Sequence, residues 1–187
     1  MHEVSTATLW NTDEAFAAAR RIASLHGVYC GPAAVAWTAA VWNSAQGIPY
    51  DFISRVKRKD LFPDGPRAFM HAIPGFQIDL DGILRRETQG ALRLSSVRVF
   101  AYSKIHSMIA EEGMPFIVRI PTASIRNGLH YVTLFKSIRS GDTFRFYWQD
   151  NGVFRSDEHI QEGISVSIRN ADGAGLFPWG ARQVVIV

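Results

Sequence analysis

The stretch from Leu25 to Gly47, LHGVYCGPAAVAWTAAVWNSAQG, constrains the fold more than any other part of the chain. Pro32 suits the first turn of a helix, where its missing N–H costs nothing. Gly47, followed by Pro49, is a helix stop. Between them run Ala33, Ala34, Val35, Ala36, Trp37, Ala39, Ala40, Val41 and Trp42. A helix apolar nearly all the way round belongs inside a protein, not on its surface. Its start carries the chain's only cysteine, Cys30. A thiol there meets the positive end of the helix dipole, which favours the nucleophilic thiolate. Gly31 leaves room for a substrate beside the sulfur and counts as a candidate substrate-binding residue.

A lone cysteine is more often an inert core residue, so the reactive reading needs a base elsewhere in the sequence. Other features narrow the field first. A chain of 187 residues, 47% apolar and 20% charged, is expected to form a single domain, 1–187, with a real core. One cysteine excludes an internal disulfide and any multi-cysteine metal site. No metal and no organic cofactor is expected. The first residues, MHEVSTATLWNTDE, have neither a basic n-region nor an apolar h-region. The expected location is the cytoplasm, or outside it by an export route that needs no signal peptide. Thr38, Asn43 and Ser44 interrupt the longest apolar stretch, so no membrane span is expected. The net charge of +3 is scattered apart from a cluster at Arg55, Lys57, Arg58 and Lys59. Such a run reads as a solvated helix face, and no nucleic-acid partner is expected. A mildly basic surface also suits an anionic polymer such as a cell wall.

In chain order, residues 1–11 read as an arm or an edge segment. Asn11 or Thr12 caps a first helix running to about Leu25, with Asp13 and Glu14 in its favourable first turn and Phe16, Ala19 and Ala23 on its apolar stripe. After the Cys30 helix come a short amphipathic helix over Tyr50–Lys59, a loop over Leu61–Pro66, one or two helical turns over Arg67–Ile73, and a helix over Leu80–Gln89 stopped by Gly90. The pattern then changes. Leu92 to Phe100 reads as a strand, and Ser103 caps a short helix that ends at Gly113. Strands follow over Pro115–Pro121, Leu129–Ile138 and Thr143–Asp150, the last two as a hairpin around Ser140, Gly141 and Asp142. Asn151–Gly152 makes a turn, Asn170–Gly180 a Gly-rich loop, and Gln183–Val187 a last strand. Helices first and an antiparallel sheet second give an α+β class.

Of the six histidines, His2 is terminal, His71, His106 and His159 show no partner pattern, and His26 lies on the approach to the Cys30 helix. His130 differs, because it opens a strand. Side chains alternate with period 2, so cross-strand partners share a face. Even positions carry Phe144, Phe146 and Trp148 on one hairpin strand and Val132 and Leu134 on the other. An even register places Asp150 beside His130, and an odd register places Asn151 there instead. The apolar alternation favours Asp150. A carboxylate beside the imidazole holds its tautomer and stabilises its cation. Nucleophile, base and orienter on separate elements form a candidate catalytic set of Cys30, His130 and Asp150.

Cys30–Gly31–Pro32–Ala33–Ala34 opening an apolar helix, His130–Tyr131–Val132 opening a strand, and Asp150 ending the next strand resemble the papain-like cysteine peptidases. Within them the likeness is to the bacterial branch of bacteriocin-leader-processing (double-glycine) peptidases, over about Leu25 to Gly152. The resemblance implies a papain-like fold, N-terminal helices with the Cys followed by an antiparallel sheet with the His and Asp. It also implies a peptide, protein or peptidoglycan-peptide substrate. Such families usually carry a Gln upstream of the Cys as an oxyanion-hole donor, and here that position is Ser24. The backbone N–H of Cys30 remains as a donor, with Ser24, His26 or Asn43 as helpers.

The expected activity is therefore that of a cysteine peptidase or amidase. It would act as a substrate-specific protease or as an interbacterial effector that cuts peptidoglycan peptides. Acyl transfer by the same triad is a variant. The alternative, motivated by Ser24, is a non-catalytic peptide-binding module that keeps the fold.

Overall fold

The computed structural model describes residues 8–25, 28–56, 80–97, 102–121, 129–160 and 180–187. The expected loop over Leu61–Pro66, the turns over Arg67–Ile73, most of the Asn170–Gly180 stretch, Lys57–Lys59, Val99, Phe100, His2, His26 and His71 lie outside the described residues.

Helix α1 (Asp13–Ala23) starts where its sequence can satisfy it. Thr12 is the N-cap, its hydroxyl accepting from the Ala15 N–H at 3.3 Å, and Asp13 and Glu14 occupy the first turn. Arg20 and Arg21 sit in the last turn, beside the negative end of the dipole. Helix α2 (Cys30–Ala45) is buried as its composition demands, from Gly31 through Val41 without a break. Trp37, wholly buried, donates its indole N–H to the Ala15 carbonyl at 3.0 Å and so ties α2 to α1. Around it lie the rings of Trp10, Phe135 and Phe154, at centroid distances of 5.8, 5.4 and 6.2 Å. At the other end Asn43 donates to the Glu87 carbonyl at 2.8 Å, fixing α2 against α3 (Leu80–Glu87).

Six strands form one antiparallel sheet: β1 (Leu92–Val97), β2 (Phe116–Pro121), β3 (Leu129–Ser140), β4 (Thr143–Asp150), β5 (Val153–Ile160) and β6 (Gly180–Ile186). Their spatial order is β1-β6-β2-β3-β4-β5. The protein is thus α+β, with most helices ahead of the sheet. Period-2 alternation splits the sheet's side chains between two cores. Ile117, Phe135, Leu92 and Val184 pack with α1, α2 and α3 on one face. Phe116, Val118, Val132, Leu134, Phe144, Phe146 and Trp148 pack on the other face against Tyr102, Ile105 and Ile109 of α4 (Tyr102–Glu112). No helix of the described residues is long and apolar enough to cross a membrane.

Four expectations need correction. The helix over Tyr50–Lys59 is, in its described part, a single 3₁₀ turn, Phe52–Arg55. Phe52, Ile53 and Val56 are buried at helix-compatible spacing, but the described helical turn ends at its C-cap, Val56. Helix α4 begins at Tyr102, one residue ahead of the expected Ser103 cap. The last strand starts earlier than Gln183, at Gly180, because β6 is the central link between β1 and β2 and needs the length. The stretch after Asn151–Gly152, read from sequence without a strand, is β5. It lies at a sheet edge, where one partner suffices and apolar alternation is not required.

The hairpin register is mixed. Next to the Gly141–Asp142 turn the pairs are Ser140↔Thr143 through Lys136↔Tyr147, odd against even. A β-bulge between Leu134 and Lys136 absorbs Phe135, and beyond it Leu134↔Trp148 and Thr133↔Gln149 pair even with even and odd with odd. The expected even register therefore fails at the turn and holds at the end that carries His130 and Asp150.

Because α2 is held from all sides through one tryptophan, Trp37→Ala should lower the unfolding free energy by about 3–5 kcal/mol. Urea denaturation followed by far-UV circular dichroism measures this, and a loss below about 1 kcal/mol would contradict the packing.

Candidate active site

Cys30 opens α2 behind an extended N-cap, Tyr29, which gives the helix no side-chain cap bond. The sulfur is partly accessible. It lies at the start of β3, within hydrogen-bond reach of the His130 imidazole and of the backbone N–H groups of Tyr131 and Gly31. Burial raises the thiol's pKa, but the His130 hydrogen bond, the two N–H groups and the imidazole's charge outweigh it, and the net position is below the ordinary thiol range.

His130 reaches Asp150 through Nε2, which stands 2.5 Å from Oδ1. That leaves Nδ1 for the thiol. Burial disfavours the imidazolium, yet hydrogen bonds to Asp150 and Cys30, with the charges of both, push its pKa up to about 10. The two side chains are 18% and 21% exposed, shielded enough for the charges to act at short range and open enough for a substrate to approach. A Cys pKa brought down beside a His pKa brought up favours a thiolate–imidazolium pair.

The bulge at Phe135 makes this geometry possible. By the phase of Thr133↔Gln149, Asp150 stands across from Val132 and meets His130 on the diagonal, within reach of an imidazole. Without the extra residue, the odd phase of the turn would carry through, and Asp150 and His130 would lie on opposite faces.

The turn after Asp150 is fastened to α1. Asn151 and Gly152 both have left-handed backbone, with φ of 46° and 90°. A Cβ on Gly152 would strike the Ala19 carbonyl oxygen and the Ala23 nitrogen, with the Ala23 Cβ at 2.8 Å. Gln149 is buried beneath, and with its amide assigned so that the oxygen faces the turn it accepts from the N–H groups of Asn151 and Gly152. Asn151 is thus a turn former, and Asp150 is the residue beside His130.

The other candidates fall elsewhere. Ser24 is the C-cap of α1, and its hydroxyl donates to the Arg21 carbonyl at 2.7 Å. Asn43 is committed to Glu87. The side-chain direction at Gly31 is taken up by neighbours: a Cβ there would lie 3.2 Å from Leu80 and 3.4 Å from Tyr131. Glycine lets α2 pack closely on α3 and β3 at this position, and its N–H supports the sulfur. His106, without a sequence partner pattern, pairs with Ser137 at 2.8 Å in the second core, where burial and Arg139 hold its pKa below the usual value. Sequence reasoning missed the Tyr131 N–H, a backbone group that no side-chain pattern marks. It also missed Arg155, whose Nε lies 3.5 Å from Asp150 Oδ2 and whose strand was not foreseen. Among the described residues, no cluster of three or more His, Cys, Asp or Glu side chains is placed to hold a metal ion.

No protein-family model matches the chain, and no curated protein matches it.

Gly152→Ala forces a side chain into α1 at a left-handed position, so a loss of about 1–3 kcal/mol is expected. The same change should displace Asp150 and reduce Cys30 reactivity at pH 6. Chemical denaturation together with iodoacetamide labelling checks both, and wild-type values in both would contradict the bracing role.

Proposed function

We propose that the protein is a cysteine hydrolase acting on peptide or amide bonds, with Cys30 as nucleophile, His130 as acid–base and Asp150 as orienter. One observation carries the reading: a single imidazole is hydrogen-bonded to the only thiol and to a carboxylate at once. This is the nucleophile–base–orienter arrangement that covalent acyl transfer requires.

The Cys30 thiolate attacks the carbonyl carbon, forming the C–S bond, and the carbonyl oxygen takes the negative charge. The Cys30 backbone N–H at the start of α2, with the helix dipole behind it, stabilises that oxyanion. His130 gives the proton on Nδ1 to the leaving amine as the C–N bond breaks. A water molecule then loses a proton to His130 and attacks the thioester, releasing the carboxylic acid and regenerating the thiolate–imidazolium pair. Asp150 keeps the Nε2–H in place throughout and stabilises the imidazolium.

The finer assignments are part of the proposal: a papain-like arrangement, a peptide, protein or peptidoglycan-peptide substrate, and a protease or cell-wall effector role. The element order and the CGPAA opening of α2 support the first. A second reading, a peptide-binding module without turnover, is favoured by Ser24. It stands where a side-chain oxyanion donor is expected, and its hydroxyl is spent on Arg21.

Peptide amides and purified peptidoglycan peptides, followed by mass spectrometry, decide between them. Cleavage by the wild type that Cys30→Ala abolishes is the expected result. Asp150→Asn should reduce the rate by on the order of 10²–10⁴, because the amide favours the wrong tautomer. No turnover of either substrate class, with substrate still bound, would leave the binding module. The pH profile should rise as Cys30 passes its lowered pKa and fall near pH 10, where the imidazolium that protonates the leaving amine is lost.

A further inference from the structure

We propose that Arg155 is a positioning residue that fixes the plane of the Asp150 carboxylate, so that three adjacent strands hold the catalytic imidazole in one relay. The inference builds on the Cys30–His130–Asp150 reading. His130 on β3 contacts Oδ1 of Asp150 on β4, and the Nε of Arg155 on β5 stands 3.5 Å from Oδ2. Register explains the line. Arg155 pairs with Trp148, so it shares a sheet face with Trp148 and Asp150 and lies diagonal to Asp150. A long side chain spans that diagonal.

The carboxylate needs a second anchor for a physical reason. The terminal torsion of an aspartate is broad and roughly two-fold. Held at one oxygen alone, Asp150 can swing its plane and let the imidazole tilt with it. With the Arg155 cation beside Oδ2, the orientation that presents Oδ1 to His130 is favoured over the others. A planar guanidinium suits this better than an ammonium, because its N–H groups are fixed in direction. The Arg155 side chain is 56% exposed. An ion pair with so open a partner contributes little to fold stability. Its effect falls instead on the group that Asp150 orients. Among the described residues, the groups facing His130 are Cys30 from α2 and Asp150 from β4, with Arg155 reaching it through Asp150.

The test is the titration of the His130 ring protons by NMR in the intact protein without substrate. Arg155→Ala should lower the His130 midpoint by about half a unit or more, because a freely turning carboxylate supports the imidazolium less. Arg155→Lys, which keeps the charge without the fork, should fall between the two. In an Asp150→Asn background, Arg155→Ala should produce no further fall. A merely structural role would lower both backgrounds equally. An unchanged or raised midpoint in Arg155→Ala, or an equal fall in both backgrounds, would overturn the inference. Should Arg155→Ala not fold, Arg155→Gln carries the same comparison. A wild-type Cys30 with ordinary thiol reactivity would overturn the hydrolase reading, while the His130 midpoint would still decide the role of Arg155.

Discussion

The burial of α2 on every side is the constraint on which the rest depends. A helix with no polar face has one stable place, between other layers, and here α1, α3 and the sheet enclose it. Its axis then determines where its first residue emerges. Trp37 locks it to α1 and to the β3 and β5 rings, Asn43 locks it to α3, and Gly31 lets its first turn press onto Leu80 and Tyr131. Cys30 is thereby delivered to the start of β3. The Cys30 thiol is placed by packing, and the helix dipole acts on it without a dedicated capping residue.

The sheet supplies the complementary half by register. Strands β3 and β4 enter their hairpin in a phase that would separate His130 from Asp150, and one bulged residue corrects it. The Asn151–Gly152 turn then presses on α1, so that the helix layer and the hairpin share a boundary next to the site. Charge completes the arrangement. Partial burial opposes ionisation of the thiol and of the imidazole alone, and each supports ionisation of the other, with Asp150 favouring the imidazolium.

The sequence made the helical half most legible. An all-round apolar run bounded by Pro32 and Gly47 has few other readings, and the placement of Cys30 follows from it. The hairpin parity pointed to Asp150 because Phe144, Phe146 and Trp148 alternate strictly. What stayed hidden depends on contacts between distant segments. Phe135 is one apolar residue among several in its strand, and nothing local marks it as a bulge. Strand β5, VFRSDEHI, is too polar to announce itself, so Arg155 went unseen. Gly31 looked like space for a ligand, but Leu80, nearly fifty residues away in the chain, fills it. Asn43 has a side chain that suits an oxyanion donor, and only the tertiary structure reveals that its hydrogen bond joins two helices, while the Ser24 hydroxyl is used locally, on the Arg21 carbonyl of its own helix.

The most direct test of the account is the rate of Cys30 alkylation by iodoacetamide as a function of pH, in the wild type and in His130→Ala. Rapid labelling near pH 6 that slows markedly in the variant is the predicted result, since the imidazolium is what holds the thiolate. Labelling that follows an ordinary thiol of pKa about 8.5 in both proteins would contradict the central claim, that α2 and β3 meet in order to make a His-activated thiolate.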